Sequence, residues 1–96
     1  ASSKGALNTM TKSMARNLGP IRVNAICPGF IQGDWLRNGM GDDLYNAALE
    51  NLTNNTPLKL TVTPEQVAEG IYSFIGINKV VTGETMLMDG GHHLIT

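Results

Sequence analysis

Two short runs of β-branched and apolar residues constrain this chain more than any other feature. They are Ile-Arg-Val-Asn-Ala-Ile-Cys at residues 21–27 and Thr-Met-Leu-Met at residues 85–88. The first run suits a strand buried on both faces of a sheet. A strand followed by helical pattern and a second strand makes the pair parallel, with helices packed on the sheet. Two strands do not complete such a sheet, because the first is left with a bare edge. The expected fold class is therefore α/β, and the pattern asks for further strands.

The flanking segments support this reading. Residues 2–18 carry Leu7, Met10, Met14 and Leu18 at three- and four-residue spacing, with Ala6 and Ala15 beside them and Lys12 and Arg16 facing away. That is an amphipathic helix, stopped by Gly19-Pro20. Pro28-Gly29 turns the chain after the first strand. Residues 34–60 are loosely patterned, rich in Gly, Asn and Thr, with a helix expected over 42–52. Insertions of this length in compact domains are usually lids or binding loops. Thr63-Pro64-Glu65-Gln66 starts the last helix: threonine caps, proline takes the first helical position and glutamine closes a capping box. Its apolar face is expected to be Val67, Ala68, Ile71, Phe74 and Ile75. Gly83 then leads to the second strand, which ends in Asp89-Gly90-Gly91.

With 96 residues, a domain buries only about 60–65% of its unfolded surface. Charged residues make up 16%, against roughly 25% in an average domain, so part of this surface is expected to be covered by more protein. The net charge is −1 and no basic stripe is present, which predicts no nucleic-acid partner. No apolar run reaches bilayer length and no signal-peptide pattern is seen, so no membrane partner is expected. The single Cys27 forms no internal disulfide and fits a reducing, cytoplasmic compartment. The chain opens without Met and inside a helical pattern, and is expected to be a fragment of a longer protein.

Four segments, in order and at the right spacing, resemble the C-terminal third of the short-chain dehydrogenase/reductase family. They are Ala1-Ser2-Ser3-Lys4-Gly5-Ala6-Leu7, the run from Ile21 through Pro28-Gly29-Phe30-Ile31, Pro57-Leu58 with Thr63-Pro64-Glu65-Gln66-Val67-Ala68, and Val81-Thr82-Gly83-Glu84 through Asp89-Gly90-Gly91. The resemblance implies the C-terminal part of a single NAD(P)-binding domain over residues 1–96. Its sheet would be a doubly wound, Rossmann-type parallel sheet with helices on both faces, and residues 34–60 a substrate-binding lid. It implies an oxidoreductase that moves a hydride between NAD or NADP and a carbonyl or CH–OH carbon. Its nearest group is that of the 3-oxoacyl-(acyl-carrier-protein) reductases, and a homotetramer or dimer is expected. The family's glycine-rich loop, serine and asparagine belong upstream of these segments.

Lys4 matches the family's active-site lysine, four residues after a tyrosine that would stand just before Ala1. A cation at i+4 lies on the same helix face, and its charge favours the phenolate of a tyrosine whose ordinary pKa is about 10. The resemblance also gives Lys4 a hydrogen bond to the cofactor ribose. Ligands bind beyond the carboxyl ends of strands in open α/β sheets, and Gly29 permits close approach; the resemblance implies that Pro28, Gly29, Ile31 and Gly33 lie at the cofactor, with the Ile31 backbone meeting the carboxamide. Gly33 stands where the family usually has a cofactor-contacting threonine. Phe30, Trp35, Leu36 and Met40 form an apolar cluster that reads equally as a substrate wall or as lid packing.

Arg22, Asn24 and Cys27 read as structural. His92 and His93 are adjacent in what is expected to be an extended tail, so they point apart and no metal site is expected. Two rivals stand beside the enzyme reading: a catalytically silent family member kept as a binding or structural subunit, and an inactive isolated fragment.

Overall fold

The computed structural model describes residues 2–95; Ala1, the first residue of the lysine motif, and Thr96 lie outside it. Helix α1 (Ser2–Asn17) is followed by strand β1 (Ala25–Pro28), helices α2 (Asp34–Met40), α3 (Asp42–Asn55) and α4 (Pro64–Tyr72), and strand β2 (Thr85–Met88). A π-helical turn (Ser73–Ile77) extends α4, and a 3-10 turn (His92–Leu94) follows β2. The two strands pair in parallel, Ala25 opposite Thr85 and Pro28 opposite Met88.

The first strand is shorter than its β-branched run predicts. Residues 21–24 leave the ladder because their polar groups are bound elsewhere. Arg22 donates to the carbonyls of Phe74, Ile75 and Asn78, which closes the end of the π-helical turn. Asn24 donates to the Val81 carbonyl (3.1 Å) and accepts from the Glu84 amide (3.0 Å). These side chains replace ladder bonds with loop bonds, so regular pairing begins only at Ala25. Burial on both faces is not seen either: in β1 only Cys27 is buried.

Helix α4 starts at the expected place. The Thr63 hydroxyl accepts from the Gln66 amide (3.2 Å), and the Gln66 side chain accepts from the Thr63 amide (2.9 Å). Its apolar face is less covered than the periodicity implies, since Ile71 and Ile75 are exposed. Gly70 packs against the Met88 side chain, so a Cβ there would collide with it.

The loosely patterned segment folds as two helices rather than one. Helix α3 runs three residues past the expected Leu52, and α2 precedes it, the break falling at Gly41 with φ 86°. A left-handed φ separates two helices cleanly, and glycine adopts it without steric cost. The segment is closed at its base. Val62 bridges Ile31 in parallel, through Gln32 N–H to Val62 C=O (2.7 Å) and Val62 N–H to Phe30 C=O (3.1 Å). Gln32 also donates to the Thr61 hydroxyl (2.6 Å).

The C-terminal histidines are not in an extended tail. Asp89 is buried and accepts from the amides of Gly91 (3.1 Å) and His93 (3.0 Å), and its carboxylate meets the His93 ring at 2.8 Å. These bonds bend residues 89–94 into a turn. An ionised carboxylate only accepts, so His93 Nδ1 carries the proton. Among the described residues no group of three or more His, Cys, Asp or Glu side chains is arranged to hold a metal ion. None of the described helices is long and apolar enough to cross a membrane.

Burial pushes the Asp89 carboxyl up, but the hydrogen bonds from His93 and Gly91 and the charge of His93 outweigh it and hold the group below its ordinary 3.8. A depressed carboxyl contributes stability that is complete above its unfolded pKa and is lost as pH falls through the folded value. In the full-length protein, acid unfolding followed below about pH 4 should therefore carry an Asp89 component that Asp89→Asn removes. An unchanged acid limb in that variant would show that the pair does not stabilise the fold.

Candidate active site

The site begins where β1 ends. Gly29 follows Pro28 directly, and its amide bonds the Met88 carbonyl (3.0 Å), continuing the register by one step. A Cβ on Gly29 would lie 2.9 Å from Asp89 Cβ and 3.1 Å from Asp89 Cα. Glycine is required here by the neighbouring strand's end, a reason the expectation of a close ligand approach did not include.

Beyond Gly29 a cavity of about 480 Å³ is lined by Gly29, Phe30, Ile31, Gly33, Trp35 and Leu36, together with Gln32, Asp34 and Pro64. Three of the four expected cofactor-turn residues and three of the four expected substrate-wall residues thus share one space. Pro28 is not among them, being paired with Met88 in the sheet. Met40 is also absent: it is the last residue of α2, about one helical turn beyond Leu36, next to the break at Gly41. Trp35 is 87% exposed, so it stands at the rim.

The bridge to Val62 fixes which polar atoms of Ile31 are free. In a parallel bridge the residues on either side supply the bonds to the central partner, here Phe30 C=O and Gln32 N–H. The amide and carbonyl of Ile31 therefore point away from Val62, and neither has a hydrogen-bond partner among the described residues. One free donor and one free acceptor on the same residue match a carboxamide, which needs both.

Gly33 lies in the cavity wall with φ 152°. A threonine would be strained in that conformation, so its replacement by glycine here follows the local backbone. The Gly33 amide donates to the hydroxyl of Tyr45 (3.1 Å). Tyr45, on α3, is 3% exposed. Its ring packs against Phe30, with centroids 5.4 Å apart at a tilt of 42°, and the Arg37 guanidinium covers it at 4.8 Å. Sequence reasoning did not single out Tyr45. An aromatic among the polar residues of 42–52 was the available signal, but its partner Gly33 lies in a different segment and has no side chain to advertise the contact.

Lys4 occupies a different cleft, about 300 Å³, with Gly5, Asn8, Cys27, Thr85 and Leu87. The Thr85 hydroxyl donates to Asn8 Oδ1 (3.2 Å), which holds α1 against β2. Lys4 is exposed, and the two spaces have no lining residue in common.

Comparison with known proteins adds the family. A family model described as enoyl-(acyl carrier protein) reductase matches residues 1–93. The chain is 35% identical to the enoyl-(acyl-carrier-protein) reductase (NADH) of Bacillus cereus, over 96% of this chain and 36% of that protein. It is 34% identical to the 3-oxoacyl-(acyl-carrier-protein) reductase of Chlamydia muridarum, over 95% of this chain and 36% of that one. A solved small-chain dehydrogenase in complex with NADPH superposes with a TM-score of 0.83 at 32% identity, over 94% of this chain and 40% of that one. The chain thus spans little more than a third of the length of the curated relatives it matches.

Proposed function

The chain belongs to the short-chain dehydrogenase/reductase family with an α/β fold of the Rossmann type, and from that premise we propose that the protein containing it is an NAD(P)-dependent oxidoreductase acting on a carbonyl/CH–OH pair. The observation that carries this reading is the free amide and carbonyl of Ile31, a residue that lines the cavity beyond β1. When bound, the nicotinamide supplies the hydride. The chain's own residues bind, orient and charge the site around it.

In this reading Ile31 holds the carboxamide, and Gly29 and Gly33 complete that side of the cofactor site. Lys4 stands one helical turn after the position that the family's tyrosine holds. Its ammonium lowers the cost of the phenolate and offers a donor to the ribose. The Lys4 cleft includes Cys27 and the turn cavity begins at Gly29, and in this reading a single ligand lies across the end of β1 and meets both. Residues 34–60 act as the lid; its Trp35 and Leu36, with Phe30 from the turn before it, face an apolar substrate group. Cys27, a free thiol, supports a cytoplasmic location. The exposed Met10 and Met14 of α1, Ile71 of α4 and Ile75 of its π-helical extension support a homo-oligomer, a dimer or tetramer.

A catalytically silent binding subunit is the second reading. It is favoured by Gly33, which brings no hydroxyl to the cofactor. Oxidation of NADH and NADPH by the full-length protein, against a panel of small and bulky ketones, separates the two. Turnover is expected, and its absence with every carbonyl would leave the silent reading. In the same assay Trp35→Ala should raise KM for bulky apolar carbonyls several-fold, the size of about 1 kcal/mol of lost apolar contact, with little change for small ones. An equal rise for all substrates would make Trp35 lid packing rather than substrate wall.

A further inference from the structure

We infer that Tyr45 is a positioning residue that sets the direction in which the lid leaves the cofactor turn, and thereby the size of substrate the site accepts. The inference rests on the reading of residues 29–36 as the cofactor and substrate wall.

Two successive tethers hold this segment. The first is Gln32, whose amide and side chain bond Val62 and Thr61. The second is the Gly33 amide on the Tyr45 hydroxyl. Beyond these, the Gly33 carbonyl accepts from the Arg37 amide (3.1 Å), a bond inside the first turn of α2 that ties it to no other segment; Gly33 has no side chain, and α2 has no side-chain cap at its N-terminus. The next residues, Asp34, Trp35 and Leu36, continue the cavity wall into α2.

Tyr45 is itself rigidly seated. It is buried, its ring backs Phe30, and Arg37 covers the other part of it while reaching towards Asp34 (3.9 Å) and Asp42 (4.0 Å). A fixed acceptor on α3 therefore orients the first turn of α2. It also places Trp35 and Leu36 relative to the free amide of Ile31. A misplacement of about 1 Å at such a wall is enough to change reactivity.

The test uses Tyr45→Phe in the full-length protein, which keeps the ring and removes the acceptor. Hydrogen exchange at the Gly33 amide should become about threefold to tenfold faster, the range set by one hydrogen bond. The ratio of kcat/KM for bulky over small ketones should fall by a similar factor, while kcat for the small ketone stays within about twofold. Faster exchange with an unchanged ratio would overturn the positioning role and leave Tyr45 as a packing residue. Unchanged exchange would overturn the tether.

A second measurement needs no variant. In the unmodified protein the Gly33 amide must exchange more slowly than those of Asp34 and Trp35, which lie in the uncapped first turn of α2. Equal exchange would overturn the inference even if Tyr45→Phe failed to fold. A full-length protein without turnover would instead remove the functional reading, and exchange at Gly33 would then decide the tether alone.

Discussion

Replacing Lys4 with Ala in the full-length protein should lower turnover by about 10²- to 10⁴-fold at pH 7, the usual scale of general acid–base assistance. Lys4 sits in a cleft against the carboxyl-end residues Cys27 and Leu87, at the spacing where, on the proposed reading, its charge would bear on a tyrosine one turn earlier. Without that charge the phenol returns towards its ordinary value of about 10. The deficit should therefore shrink as the assay pH rises, because the phenolate then forms unaided. Lys4→Arg should also be impaired, since a planar guanidinium does not reproduce a compact ammonium with three rotatable donors. Near-normal rates for Lys4→Ala at pH 7 would sink the role given to this residue.

Expressed alone, residues 1–96 should self-associate and show no dehydrogenase activity. Among the described residues the buried hydrophobic set is Ala15, Cys27, Tyr45 and Val62, too few to close a core. Ile21, Ile75, Ile77 and Val80 are largely exposed, Val80 at 98%. Apolar surface on this scale marks a face that other protein covers. The edge of β1 opposite β2 has no strand partner among the described residues, and an open edge is a template for pairing between chains. On the proposed reading, the cofactor contacts of these residues would be limited to the nicotinamide end, through Lys4 and the turn after β1. Those contacts must also offset the entropy lost in immobilising a large ligand. Sedimentation, circular dichroism and NADH titration on the 96-residue polypeptide check this. A compact monomer that binds NADH at micromolar concentration would overturn it.

Much of the fold could be read directly. The periodicity of α1, the capping box of α4 and the pairing of two apolar runs are local or nearly local patterns, and each appears in the structure. Misreadings came where a side chain bonds across a long stretch of chain. Arg22 and Asn24 look like strand residues by type, but their partners lie in 74–84, and those bonds shorten β1. Trp35 and Leu36, in the first turn of α2, line the turn cavity, while Met40, at the other end of the helix, does not.

By itself, then, the sequence determined the class of fold, the succession of helix, strand, inserted segment, helix and strand, and the family resemblance. Periodicity, caps and short motifs are written in contiguous residues, so they need no partner to be legible. Only the tertiary structure decided which atoms at the turn after β1 are free. The Val62 bridge leaves the Ile31 amide and carbonyl open, Asp89 is what requires glycine at 29, and Tyr45 takes up the amide of Gly33. Each of these joins backbone atoms to a distant segment, and backbone atoms are the same in every sequence, so no residue type could announce the contact.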